Sequence, residues 1–551
     1  SGDICIRCHT PGGWQEGHSD DTSGAMINAK DRQGVQCDFC HSMVDFDYVS
    51  GISPQPDSVV VAGIDPPLMD YANGSFIMDQ QPVRRGPRSD STAPHDFLYS
   101  PFHRSGDLCG TCHNVSNPVY YDDGSHDLVL TSWDQKHPDG RVYSMGQVER
   151  TYAEWTQSDY ANGGVYAPQF AGTKADGMVA TCQDCHMHDV SGSAAILGSS
   201  RPDLALHDLT GGNTFIPDII ADFFPGEVDP AHLAAGKLRA RAMLQKAASL
   251  EVTPTTTGIN VRVINQTGHK LPSGYPEGRH MWLQIRAVDS QGTTVFTSGA
   301  YDSETGHIEH DAQLKIYEIE GGFSPAIASA LGLPAGPSFH FVLNDSTYFD
   351  NRIPPRGFTN AAFASVQSPV VGYSYPDGQY WDDTEYVLPQ EADSVFVSLY
   401  YQSTSPGYIE FLRDENHTNT MGQQLYDAWL AQGKNPPELM EQVRTEVDIT
   451  ATAAEPAMPS IVMLSPNHPN PFGSSTSFSY SLPKTAKVEL NVYDLRGRKV
   501  RTLLNETQNP GRYVQQWDGR DFNGQRLASG VYLLRLRANE QIRTQRVTLM
   551  R

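Results

Sequence analysis

A chain of 551 residues with a formal net charge of −24 lacks the basic face that a phosphate backbone needs, which argues against nucleic acid and anionic lipid as partners. Its 48 glycines and 37 prolines, beside a hydrophobic fraction of 38%, suit a loop-rich protein of several domains better than a helical bundle. No run of about 18 apolar residues occurs, so no membrane span is expected, and with no basic-then-apolar leader ahead of the first motif the chain reads as the mature form of an exported protein.

Residues 1–215 hold all eight cysteines, in four copies of one pattern: CIRCH (Cys5, Cys8, His9), CDFCH (Cys37, Cys40, His41), CGTCH (Cys109, Cys112, His113) and CQDCH (Cys182, Cys185, His186). C-x-x-C-H is the attachment pattern of c-type haem. Two thiols add across the two vinyl groups of one haem, and the next residue's imidazole supplies an axial ligand to the iron. A zinc ribbon built from Cys5, Cys8, Cys37 and Cys40, a redox dithiol or a structural disulfide would each explain a C-x-x-C pair. None of them requires a histidine after the second cysteine, and here it follows every time. The reading is four covalently attached haem c groups, with iron ligated by His9, His41, His113 and His186.

Four haems leave four further axial positions, and 19 histidines are present. His95 and His103 stand just before the third attachment site, and His207 follows the fourth. His269 lies in NQTGHKLPSG, a Gly/Pro-framed turn far from any cysteine. These four are the candidate distal ligands, with His18, His188 and His310 in reserve. His126, His137, His232, His307, His340, His417 and His468 read as surface or packing residues. Methionine is the competing ligand and would raise the potential, but Met187 cannot easily turn back to the iron of its neighbour His186. With every iron six-coordinate no substrate can reach it, so the chemistry is electron transfer rather than bond making. C-x-x-C-K, a pattern seen where an iron is left open for catalysis, does not occur.

This first region is weak in periodicity, as expected where haems themselves organise the fold. Residues 216–250 form a connecting helical segment, with a helix over 229–250 started by the N-cap Asp229 and by Pro230. Residues 251–455 change to alternating strands such as GINVRVINQ, MWLQIRAVD and SVFVSLYYQ, which imply a β-sandwich-like domain packing on the haem region. One helix is expected at 419–432. Residues 456–551, which begin within the linker-like TAAEPAMPS, show about seven short strands, the pattern of a small Ig-like sandwich. The fold class is therefore multi-domain: an irregular, haem-organised region with few helices, then two β-sandwich units.

Two resemblances add to this. The first 450 or so residues, through the attachment motifs and TGHKLPSGYPEGR, FHFVLN, NRIPPRGFTN and DGQYWDDT, resemble the exported multihaem cytochromes c of environmental bacteria. One departure is His188, where the family pattern after CHM has proline. The last 90 residues, through HPNPF, VYDLRGRKV and WDGRDFNGQRLASGVYLLRL, resemble the C-terminal sorting domain of the type nine secretion system, which is similar to the Ig-like domain of flagellar hook-capping proteins. The resemblances imply delivery to the cell surface and extracellular electron transfer to redox partner proteins or other acceptors, including assembly into a homopolymeric filament. Two other classes are a multihaem oxidoreductase with one open iron acting on a small nitrogen or sulfur compound, and a surface protein whose β domains bind glycan or mineral.

Overall fold

The computed structural model describes residues 2–91, 95–122, 124, 128–131, 137–194, 198–275, 277–450, 462–464, 467, 470, 472, 476–509, 511–539 and 541–549. His126 and His468 lie outside the described residues. The protein is multi-domain. Its first part is irregular and its later parts are β-sandwiches.

In the cysteine-bearing part, helices are short and the sheets are pairs of strands two to five residues long. Three motifs lie within short helices, Gly2–His9, Cys37–Ser42 and Cys182–His186, while the third begins in Gly106–Gly110 and continues as a turn, with the Cys112 and His113 N–H groups both donating to the Cys109 carbonyl. The buried apolar groups there are small and separate, one around Phe39, Met43 and Phe102 and another around Tyr160, Phe170 and Val179. Among the described residues no continuous side-chain core runs through the region, in keeping with its lack of periodicity.

The connecting helix runs Pro230–Ala247, started as expected by the Asp229 carboxylate accepting from the Ala231 N–H at 2.8 Å. It ends before residue 250 because Ala248–Pro254 joins a strand ladder, Ala248 pairing with Asn265 and Pro254 with Ile259. The ladder takes up the backbone groups that face Gly258–Asn265, the Leu250 N–H is given to Glu441 at 2.8 Å, and Leu250 is buried.

Two sheets then face each other. One is Ala248–Pro254, Gly258–Asn265 and Trp381–Val387; the other is Thr294–Ser298, His280–Val288, Ser394–Gln402 and Glu438–Glu446, with Lys315–Tyr317 on the side of His280–Val288. Alternation decides the facing: Ile259, Val261 and Val263 point inward against Met281, Leu283, Ile285, Val395, Val397 and Leu399, all at most 1% exposed. Each such side chain contributes about 1.5–3 kcal/mol by burial. The expected helix at 419–432 is Met421–Ala431. Before it stands Pro406–Glu415, whose start signal, Ser405 followed by Pro406, is of the same kind as Asp229 and Pro230.

The last unit pairs a sheet of Met463–Leu464, Thr476–Leu482 and Gly511–Trp517 with a sheet of Lys499–Gln508, Ala486–Asp494, Gly530–Ala538 and Gln541–Leu549. Val488, Leu490, Leu534 and Leu536 fill the space between the sheets against Phe478, Tyr480 and Trp517. Among the described residues no helix is long and apolar enough to cross a membrane.

Candidate haem centre

A helical turn brings residues three apart onto one face, so each C-x-x-C presents both thiols on the same side. The turns are fixed at their starts. Ser105 accepts from the Asp107 N–H ahead of the third motif, and Thr181 with Asp184 forms a reciprocal cap ahead of the fourth. All eight cysteines are free. The motifs also meet one another: the Cys8 thiol lies against Cys112, the Cys109 thiol against Cys182, and Cys40 within the electrostatic reach of Cys112 and Cys109. The third motif is thus common to the other three. Burial raises the Cys40 thiol to about 11 and Cys185 to about 12, so neither is a ready thiolate. The alternative zinc site is not assembled. Among the described residues the one cluster of three or more ligating side chains is Glu16, His18 and Asp31, with no cysteine in it.

The imidazoles carry a second regularity. His41 Nδ1 lies 2.6 Å from the Arg85 carbonyl, His186 Nδ1 2.6 Å from that of Thr210, His207 Nδ1 2.9 Å from that of Ala205, and His269 Nδ1 2.9 Å from that of Lys270. A carbonyl only accepts, so Nδ1 carries the proton in each neutral ring and Nε2 keeps its lone pair for a metal. His113 Nδ1 instead faces a carboxylate, 3.4 Å from Glu149 Oε1, which holds this ring above the usual imidazole range.

The candidate distal histidines fall in different places. The His207 ring is 6.2 Å, centre to centre, from that of His41, a spacing that suits two imidazoles sharing one metal at roughly 2 Å from each Nε2. His269 comes close enough to His186 for burial and mutual repulsion to hold His186 below its ordinary value. His103 stacks on His41 at 5.7 Å, but its Nε2 is bonded to the Cys40 carbonyl at 2.8 Å, the reverse of the pattern above. Its Nδ1 is buried and without a partner, and burial lowers the ring to about 4. His95 is exposed, its Nδ1 on the Asp96 carbonyl, and acts on Asp38 of the second motif. Of the reserves, His18 is held by Asp31 at 2.7 Å.

Several supporting residues were not visible as such in the sequence. Arg85 is completely buried between Asp57 and Asp79, with contacts of 2.7 and 2.6 Å, and this triad fixes the carbonyl that orients His41. Of the buried polar atoms without partners, five lie in or near the motifs: Arg7 Nε, Arg85 Nη1, His103 Nδ1, Arg150 Nε and Gln183 Oε1. Such orphans are rare in native proteins and call for a reason. Guanidinium donors and metal-competent imidazoles beside paired thiols form a donor set that fits haem c, with its iron and two carboxylates.

Comparison with known proteins gives the following. Residues 470–541 match the family model described as the FlgD Ig-like domain. The FlgD structure from Pseudomonas aeruginosa is similar over 13% of this chain and 58% of that one, at 27% identity and a TM-score of 0.12. A penta-haem cytochrome c552 from Thermochromatium tepidum is similar over 80% of this chain and 83% of that one, at 15% identity and a TM-score of 0.41. The dimeric latent PorU of Porphyromonas gingivalis is similar over 55% of this chain and 32% of that one, at 9% identity and a TM-score of 0.15. No curated protein matches the chain.

Proposed function

We propose that this protein is an extracellular tetrahaem cytochrome c that carries electrons between redox partners. The carrying observation is the set of four C-x-x-C-H turns whose thiols meet across motifs, through Cys8 and Cys112 and through Cys109 and Cys182. In this reading residues 1–215 are the haem unit, 216–250 the connection, 251–455 a β unit packed on it, and 456–551 the sorting unit that brings the protein to the cell surface. Bound haem supplies reversible one-electron chemistry at iron. The chain does the rest. Paired cysteines would hold each haem, His9, His41, His113 and His186 would each ligate an iron, and His207 and His269 would supply the further ligands at the second and fourth sites. Arg7 Nε and Arg85 Nη1, buried and without a partner, would be the donors offered to haem carboxylates. Assembly into a filament is the further step that the family resemblance implies; it needs a head-to-tail interface that does not close into a ring.

A second reading keeps one observation in its favour. Among the described residues neither His9 nor His113 is paired with another imidazole as His41 is with His207. An open iron at either site would make the protein an oxidoreductase for a small nitrogen or sulfur compound. Intact mass should show four haems, and paramagnetic resonance of the oxidised protein should show low-spin iron throughout. A persistent high-spin signal in the parent protein would favour the oxidoreductase, and fewer than four covalent haems would defeat the tetrahaem reading.

The contact between Glu149 and His113 leads to a separate expectation. A carboxylate facing Nδ1 makes the imidazole a stronger donor and stabilises oxidised iron. Glu149→Gln is expected to raise one reduction potential by roughly 59 mV, a tenfold change in a one-electron equilibrium. Potentiometric titration followed by visible absorption measures it, and a shift to lower potential would contradict the assignment.

A further inference from the structure

The turn that carries His269 is anchored by buried charges. Glu154, in the helix Thr151–Thr156, is 0% exposed. It accepts from the Lys270 N–H at 3.0 Å, the Ser273 hydroxyl at 3.2 Å and the Ser368 hydroxyl at 2.8 Å, and it pairs with Arg352 at 3.2 Å. The Lys270 ammonium, also 0% exposed, reaches Asp350 at 2.8 Å, and Arg352 closes the group on Asp350 at 2.7 Å. Two cations and two anions balance, and removing one partner would leave an uncompensated buried charge.

What this group holds is the backbone on both sides of Lys270. The Lys270 N–H is given to Glu154, while the Lys270 carbonyl receives the His269 Nδ1 proton at 2.9 Å. The carbonyl of His269 is held in turn by Asn265 at 2.8 Å and Thr267 at 3.0 Å. The same short helix touches two attachment sites. Its Tyr152 N–H donates to the His113 carbonyl at 2.8 Å, and its Trp155 Nε1 donates to the Ala180 carbonyl at 2.9 Å, just before the fourth motif. Gly106 and Gly110 let it pack directly on the third motif, since a Cβ at either would come within 2.4 Å of Trp155 or 2.7 Å of Tyr152.

We propose that Glu154 is a positioning residue that fixes the backbone of Lys270 and, through that residue's carbonyl, the tautomer and direction of His269 towards the fourth attachment site, while its helix ties that ligand to the third. The proposal rests on the reading of His269 as an iron ligand. Glu154→Ala removes both the acceptor and the charge, and the fourth haem should become partly high-spin. Glu154→Gln restores an acceptor for the Lys270 N–H without the charge; low-spin iron should return, with one reduction potential raised about tenfold in equilibrium, 59 mV. Paramagnetic resonance, potentiometry and intact mass are read on the full-length, haem-loaded protein, with His269→Ala in parallel. If His269→Ala leaves the spin state unchanged, the ligand reading itself fails. If His269→Ala turns one haem high-spin while the Glu154 variants keep parent spectra and potentials, the positioning role fails. Should Glu154→Ala not fold, the potential of Glu154→Gln alone decides, and an unshifted value overturns the proposal.

Discussion

Replacing His269 with alanine is expected to turn one of the haems from low-spin to high-spin and leave the others unchanged. The ring is within electrostatic reach of His186, its Nδ1 is committed to the Lys270 carbonyl, and only Nε2 is left to bind a metal. Alanine offers no ligand atom, and the neighbouring Lys270 cannot take over because its ammonium is held by Asp350 and the Pro369 carbonyl, at 2.8 and 2.9 Å. The visible spectrum should gain the features of five-coordinate iron, and about a quarter of the total haem should contribute a high-spin resonance, as expected for one site in four. Added imidazole should reverse the change. A variant that carries its full complement of haem and keeps a wholly low-spin spectrum would remove His269 from the ligand set and with it the reason for placing this turn where it is.

Converting Cys109 and Cys112 to serine together should have the largest effect on electron flow. These thiols lie against Cys182 and Cys8, and both act on Cys40. On the proposed reading, the first and fourth sites then lose the motif they share, and tunnelling between them would cross a longer gap. Reduction by a fast donor, one phase in the parent, should split into fast and slow phases, and intact mass should be one haem short. The matched control is Cys5→Ser with Cys8→Ser, which removes a motif that meets only the third and should leave the remaining haems reduced in one phase. A three-haem protein lacking the central site yet reduced at the parental rate in a single phase would show that electrons do not pass through it.

The four C-x-x-C-H repeats, which the proposed function takes as attachment sites, are legible in the sequence because each lies within five residues. The sandwiches were legible for a similar reason: the inward positions Ile259, Val261 and Val263 alternate within one strand. What lies across the chain was not. Glu154 and Lys270 are 116 residues apart, and in sequence each looks like an ordinary charge on a solvated surface. Arg85, Asp57 and Asp79 give the same false impression until burial brings them together. His103 and His207 illustrate the limit for ligands. Both stand close to an attachment motif, but only the hydrogen bond at the second ring nitrogen separates them, since Nε2 of His103 is bonded to the Cys40 carbonyl whereas His207 is bonded through Nδ1. No spacing rule encodes which nitrogen a ring uses. The connecting helix stops at Ala247 for a comparable reason, because the strand that competes for residues 248–254 is recognisable only with its partner beside it.

The Glu149 carboxylate beside His113 gives the central site a different electrical setting from the carbonyl-held rings of His41 and His186. On the proposed reading, the most strongly donating ligand sits at the junction of the network, so the junction is the hardest place to leave an electron. Charge would then rest at the periphery and cross the middle as a brief uphill passage. Such a profile stores electrons at the outer sites, next to whatever docks there, and makes the centre a switching point whose height a single carboxylate sets.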